Sequence, residues 1–211
     1  MTQSTEPGDQ RLAKGARARA TIARRAAELA SVEGLDGISI GMLATDLGLS
    51  KSGIATLFGT KEALQLAAVR TAREVFIDRV IAPGLAEPRG AARVRTLIDR
   101  WFAHIEDPPF PGGCFRVATL VEFSSKHGPI RDAVVSDREE WLALLTAEIA
   151  KAQQVGDFPG VDPEAMVFEL DAVVSAANIA RQLGDSARVE AAREIAGRLL
   201  GTNGGATTRS G

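Results

Sequence analysis

Residues 34–60 constrain the fold most strongly, because helix-capping residues and glycines alternate there at short intervals. Ser39 precedes Gly48, and Ser50 precedes Gly59, at the same spacing. Serine favours the N-terminus of a helix, whereas glycine favours the position just after its end. Each pair therefore brackets a helix of only about two turns. The sequence predicts two short helices separated by a tight turn at Gly48.

The apolar residues of both segments recur at helical spacing and mark the buried side of each helix. A short helix, a turn and a second short helix form a helix-turn-helix pattern, in which the second helix lies in the major groove of DNA. A corner between two helices of an ordinary bundle has the same spacing, so both interpretations stay open at this point. The inward residues are Ile40, Leu43, Ala44 and Leu47, then Ile54, Leu57 and Phe58.

The rest of the chain lacks strand signals, since it has no tyrosine and no sustained apolar alternation. We predict an all-α protein of about nine helices, in which a three-helix DNA-binding domain precedes a larger helical domain. Pro and Gly predict a linker at 82–90 and a break at 107–113. The predicted helices are 12–33, the two short ones, 61–81, 91–106, 114–126, 129–155, 163–183 and 185–200. The predicted domains are 11–64, linked by helix 61–81, and 65–200, with disordered ends at 1–10 and 201–211.

The charge distribution is uneven although the net charge is only −2. Residues 11–25 contain six basic side chains and no acid, which suits local contact with phosphates. No apolar run approaches the roughly 20 residues that span a bilayer, and the polar start is no secretory signal. One cysteine is consistent with a reducing compartment, so we expect a cytoplasmic protein without membrane contact. Two histidines without a supporting motif predict neither an enzyme nor a metal site.

The stretch "ISIGMLATDLGLSKSGIATLFGTKEAL" (38–64) resembles the DNA-binding domain of TetR-type bacterial transcriptional repressors. The resemblance covers about 15–64 and includes the preceding basic helix, while "PGGCF" and "VEF" (111–115, 121–123) are similar to one branch of the family. It implies a homodimeric repressor that a small-molecule effector releases from a palindromic operator, with no cofactor. The open alternatives are a helical small-molecule-binding or interaction protein without a DNA role, and a thiol redox sensor at Cys114.

The expected DNA contacts lie on the basic helix, the helix N-termini and the outer side of the second short helix. Helix N-termini suit phosphates, and the resemblance assigns a phosphate contact to Lys61. Two residues depart from the family, because Ala55 replaces a usual aromatic residue and Met42 replaces a polar one. The affinity for DNA is therefore expected to depend more on the arginines of the first helix. The candidates are Arg17, Arg19, Ser39, Ser50, Lys51, Ser52, Gly53, Thr56, Thr60 and Lys61.

The C-terminal domain is expected, by the same resemblance, to enclose a ligand and to form the dimer. The aromatic residues beside the 107–113 break are equally consistent with plain core, and the apolar stripe of helix 163–183 with the monomer's own core. The candidate pocket residues are Trp101, Phe102, His104, Cys114, Phe115, Glu122 and Phe123, with His127 as a further polar group. The candidate interface residues are Met166, Leu170, Val173, Val174, Ala177 and Ile195.

Overall fold

The computed structural model describes residues 7–201, and within that range every regular element is helical. The elements are α1 (Pro7–Glu33), α2 (Ile40–Leu47), α3 (Lys51–Phe58), α4 (Lys61–Phe76), α5 (Ala82–Ala86), α6 (Ala91–Glu106), α7 (Phe115–Phe123), α8 (Pro129–Gln153), α9 (Pro163–Gln182) and α10 (Ser186–Leu199). The disorder predicted for 1–10 is wrong for residues 7–10, which belong to α1. Gly201, the first residue of the predicted disordered tail, lies in a turn in which its amide donates to the Arg198 carbonyl at 3.1 Å, whereas 1–6 and 202–211 lie outside the described residues.

A π-helical segment, Ile77–Ile81, joins α4 directly to α5. The three pieces form one uninterrupted helix, so residues 7–201 contain nine separate helical rods, the number expected. The linker predicted at 82–90 is wrong for residues 82–86. Pro83 lies inside this continuous helix, and its missing N–H leaves one helical hydrogen bond unmade just after the π-helical segment.

The caps that were predicted from the sequence are present at both short helices. Ser39 accepts a hydrogen bond from the amide of Met42, and Ser50 accepts one from Gly53, each at 3.1 Å. Gly48 and Gly59 end the helices with φ of +63° and +75°, values that glycine adopts without a Cβ penalty. Local chemistry therefore sets the length of α2 and α3.

The chain divides into two compact units. Unit 1 contains the residues up to Glu74 together with Phe110–Val134, and unit 2 contains Val75–Pro109 and the residues from Val135 onward. The expected boundary at residue 64 differs from this division in one main respect. Residues 110–134 were assigned to the C-terminal domain, but long-range contacts with α1 and the loop after it place them in unit 1.

Unit 2 is built around an apolar core to which α6, α8, α9 and α10 contribute. Four of the predicted interface residues, Met166, Leu170, Val174 and Ala177, are buried in this core. They lie on the inner side of α9, so they pack within the protomer. Val173 is partly buried against the same core, and Ile195 is 37% exposed.

Candidate nucleic-acid interface

Helix α3 turns a nearly bare side to solvent. Ile54 and Phe58 are buried in unit 1, whereas Lys51, Ser52, Gly53 and Thr56 are exposed and short except for the lysine. The hydroxyl of Thr56 donates to the Ser52 carbonyl at 2.8 Å, which holds that side chain against its own helix. A helix anchored on one side and bare on the other can bring its backbone close to another surface.

The N-terminus of α3 is more crowded than its sequence suggests. A Cβ added at Gly53 would lie 3.0 Å from the Ser50 hydroxyl, so the absence of a side chain there also protects the cap. Lys51 extends back over α2, since a Cβ at Gly41 would lie 3.3 Å from its Cε. The Lys51 ammonium therefore lies beside the first turn of α2 rather than extending freely.

Helix α4 begins with a further cap, because the Thr60 hydroxyl accepts from the Ala63 amide at 3.0 Å. The neighbouring Lys61 donates to the Asp36 carbonyl oxygen at 2.6 Å and lies 3.7 Å from the Asp36 carboxylate. Lys126 lies 3.1 Å from the same carboxylate. Its hydrogen bond and charge, with a smaller contribution from Lys61, hold the pKa of Asp36 below its usual range.

Basic residues of α1 divide into two groups. Arg19 donates to the Leu57 carbonyl, and its guanidinium lies 4.6 Å from the centre of the Phe58 ring. Arg25 forms two hydrogen bonds with Asp46, at 2.7 and 2.8 Å, which join α1 to α2. These arginines therefore serve the structure of unit 1. Arg17 is exposed, so it is the better placed of the two predicted α1 contacts.

Glu122 on α7 binds the loop between α1 and α2. Its carboxylate accepts from the amides of Leu35 and Asp36, both at 2.7 Å, and lies 3.6 Å from the Lys126 ammonium. The side-chain amide of Gln65 also binds this loop, because it donates to the Leu35 carbonyl at 2.8 Å. Glu122 was expected to face a ligand, but this role is structural. No local sequence signal marks it, since its partners lie 86 and 87 residues away.

The segment before α7 also packs on α1. The Gly112 amide donates to the Ser31 hydroxyl at 3.0 Å, and a Cβ at Gly112 would lie only 1.7 Å from the Ser31 carbonyl oxygen. Phe110 is buried, and the Arg24 guanidinium lies 4.5 Å from its ring centre. Residues 110–113 of the predicted Pro- and Gly-rich break therefore fit closely against α1, and at position 112 only glycine leaves enough space.

The structure divides the predicted pocket residues between the units. Trp101, Phe102 and His104 are buried in unit 2, whereas Cys114, Phe115 and Phe123 are buried in unit 1 with Glu122 partly exposed there. His127 is exposed. The Cys114 thiol has no exposed surface, and a buried thiol is chemically inert. Among residues 7–201, no three His, Cys, Asp or Glu side chains are grouped to bind a metal ion.

Unit 2 carries a shallow charged groove of about 290 Å³ between α6 and α10. Arg193 lies 4.7 Å above the Phe102 ring there, and burial raises the pKa of Asp99. Elsewhere in the unit, Arg93 and Lys151 bind the buried carboxylate of Glu148 at 3.1 and 2.6 Å. Burial alone would raise its pKa, but the two cations lower it overall.

Comparisons with known proteins agree with this architecture. The family described as "Tetracyclin repressor-like, C-terminal domain" matches residues 90–196, just over half of the chain. A TetR transcriptional regulator from Chloroflexus aurantiacus J-10-FL is 27% identical, with a TM-score of 0.80 over 89% of this chain and 94% of that chain. The comparison with curated proteins gave no match.

Two further solved structures share the fold at lower identity. AibR, in complex with isovaleryl coenzyme A and operator DNA, is 18% identical, with a TM-score of 0.68 over 86% of this chain and 98% of that chain. A protein from Saccharomonospora viridis in complex with choline is 22% identical, with a TM-score of 0.72 over 89% of this chain and 97% of that chain.

Unit 1 contains a helix-turn-helix, and every described element of the chain is a helix. These features define an all-α DNA-binding regulator. The chain belongs to the TetR family of transcriptional regulators, which are not enzymes. The predicted family and the all-α fold class are confirmed. Within residues 7–201, no helix is both long and apolar enough to cross a membrane.

Proposed function

We propose that this regulator is a homodimeric repressor that binds a palindromic operator and leaves it when a small molecule binds. The observation that carries the proposal is the shape of α3, which is capped at Ser50, anchored by Ile54 and Phe58, and bare on its outer side. Such a helix fits the major groove, with Lys51, Ser52, Gly53 and Thr56 nearest to the bases.

Phosphate contacts are proposed for the capped helix ends and for two cations. Ser39, Ser50 and Thr60 hold the N-termini of α2, α3 and α4, where free backbone N–H groups and the helix dipole favour an anion. Lys61 would exchange part of its contact with Asp36 for a phosphate, and exposed Arg17 would add a second charge. Arg19 is left out because α3 binds its guanidinium.

The dimer is proposed to form through the outer stripe of α9 rather than through the residues first expected. Phe168, Ile179 and Leu183 are 73%, 54% and 78% exposed, and they share one side of the helix with Ala172 and Ala176. Large exposed apolar side chains at such spacing are typical of an interface. On α10, the exposed Ala187, Ala191 and Ile195 extend the apolar surface.

A small-molecule effector is proposed to bind in unit 2, near Trp101 and His104. Two proteins of the same fold support a small-molecule effector, though not its position, since AibR was solved with isovaleryl coenzyme A and operator DNA, and another with choline. An effector that binds more tightly to the conformation unable to bind DNA lowers the DNA affinity, at most by the ratio of its affinities for the two conformations. Cys114 is not proposed as a redox sensor, because its thiol is fully buried.

Selection of bound sequences from random DNA tests the proposal most directly. We expect a palindrome whose half-sites are spaced by about one helical turn or slightly more. The variant Thr56→Val should alter the selected bases, whereas Lys61→Ala should weaken binding to all sequences and reduce its salt dependence. Glu139→Gln, an exposed change on α8, serves as the control. Recovery of no common sequence at low salt would refute the repressor assignment.

A further inference from the structure

Unit 2 contains an aromatic cluster that consists of Phe76, Trp101, His104 and Trp141. The rings of Phe76, Trp101 and Trp141 are mutually perpendicular, with interplanar angles of 84–89° and centroid distances of 5.1–6.1 Å. The His104 ring lies 5.4 Å from that of Phe76. All four side chains are at least 98% buried. Edge-to-face packing accounts for their arrangement but uses none of the polar atoms.

The two tryptophans bury their indole N–H groups without a hydrogen-bond acceptor. No acceptor of the protein lies within bonding distance of Nε1 of Trp101 or of Trp141. Buried donors normally have an acceptor, and a donor without one loses its hydration energy with nothing to replace it. Elsewhere the same chain does satisfy buried polar groups, since Gln65 donates to Leu35 and Glu148 accepts from Arg93. Two orphan donors in one cluster therefore point to a ligand.

The backbone next to the cluster is irregular as well. The π-helical segment Ile77–Ile81 begins directly after Phe76 and continues to α5. Such segments are rare, and they occur frequently at functional sites. Their i→i+5 hydrogen bonds make a wider turn than an α-helix does, so the backbone changes register close to the rings. The irregular segment and the orphan donors are independent observations, and they lie in the same part of unit 2.

We propose that the effector is an uncharged molecule with an apolar body and a carbonyl or ether oxygen, and that the indole N–H groups of Trp101 and Trp141 donate to that oxygen. The proposal rests on the effector site proposed above. A quaternary ammonium would suit the ring faces, but it has no lone pair to accept these bonds. An anion would be favoured by a permanently charged cation, and the described buried residues include no Lys or Arg; His104 is the one side chain of the cluster that can take up a proton.

Binding is measured on the full chain without DNA, so a failed operator search leaves this test intact. The chain has only two tryptophans, and nuclear magnetic resonance with ¹⁵N labelling therefore gives one indole signal for each orphan donor. Four probes share one skeleton: benzylacetone, butylbenzene, hydrocinnamate and phenethyltrimethylammonium. Benzylacetone should shift both indole N–H signals and bind about 25-fold more tightly than butylbenzene, about fivefold for each hydrogen bond.

The variants Trp101→Phe and Trp141→Phe keep a ring and remove one donor, so each should weaken benzylacetone about fivefold and leave butylbenzene unchanged. Ile149→Val removes buried volume without touching a donor and is the matched control. The wild-type spectra decide the question if either tryptophan variant fails to fold. Tighter binding of the ammonium or the carboxylate probe would overturn the proposal, as would unchanged indole signals with every probe.

Discussion

The contact between Glu122 and the loop after α1 leads to a quantitative prediction. The carboxylate accepts two amides at 2.7 Å, and one of them belongs to Leu35, which has no exposed surface. In Glu122→Gln, the side-chain oxygen can accept one amide, but the side-chain nitrogen cannot accept the other. Both amides also lose a charged acceptor, and a hydrogen bond to a charged group contributes about 1.5–3 kcal/mol. The variant should therefore lower the free energy of unfolding by that amount.

Glu122→Ala removes both acceptors and the contact with Lys126, so its cost should be larger, about 2–5 kcal/mol. Urea denaturation of the full chain, followed by far-ultraviolet circular dichroism, measures both values. Lys126→Met tests the ion pairs separately, and it should cost less than about 1 kcal/mol because the lysine is partly exposed.

Hydrogen exchange provides a second measurement that is specific to the loop. In Glu122→Gln, the amides of Leu35 and Asp36 should exchange faster than in the wild type, while those of α9 should not change. The exposed Glu139→Gln is the control for loss of a carboxylate. If Glu122→Gln lies within about 0.5 kcal/mol of the wild type, the two bonds do not hold the loop and the reasoning fails.

Three further predictions concern unit 1. Gly112→Ala should cost about 1–3 kcal/mol or more in thermal unfolding, because its Cβ would lie 1.7 Å from a carbonyl oxygen of α1. Arg17→Met should reduce the magnitude of the slope of log DNA affinity against log salt concentration by about one. Arg19→Met should destabilise the fold and leave that slope unchanged. Equal slopes for the two variants would contradict the division of the α1 arginines. Lys126 holds the pKa of Asp36 below its usual range, so the stabilisation from this pair is complete above about pH 4 and is lost as the pH falls through the folded pKa. In an acid titration Asp36→Asn should lose less stability than the wild type, and the remaining loss comes from other carboxylates such as Glu148.

Local chemistry explains what the sequence made predictable. Ser39, Gly48, Ser50 and Gly59 act on the backbone within a few residues, so their capping roles follow from residue type and spacing. The resemblance in 38–64 then identified the family, and the match to the C-terminal domain confirmed it.

The missed features depend on distant partners or on a choice between equivalent sides. Helix α9 is apolar on two sides, so its periodicity cannot distinguish the buried stripe with Leu170 from the exposed one with Phe168. Glu122 was expected to face a ligand, because its true partner, the amide of Leu35, lies 87 residues earlier and no local pattern links the two. Arg19 belongs to a basic run, and only the fold shows that α3 occupies its guanidinium.

The discontinuity of unit 1 has a consequence for protein synthesis and engineering. Its last segment, Phe110–Val134, leaves the ribosome after all of Val75–Pro109, so the DNA-binding unit is not complete when its own helix-turn-helix emerges. Until then, the loop that Glu122 binds lacks its acceptor. A chimaera that exchanges operator specificity by grafting only the first 64 residues would separate them from these contacts. The transplantable element is discontinuous, and a graft should carry residues 110–134 together with the N-terminal part.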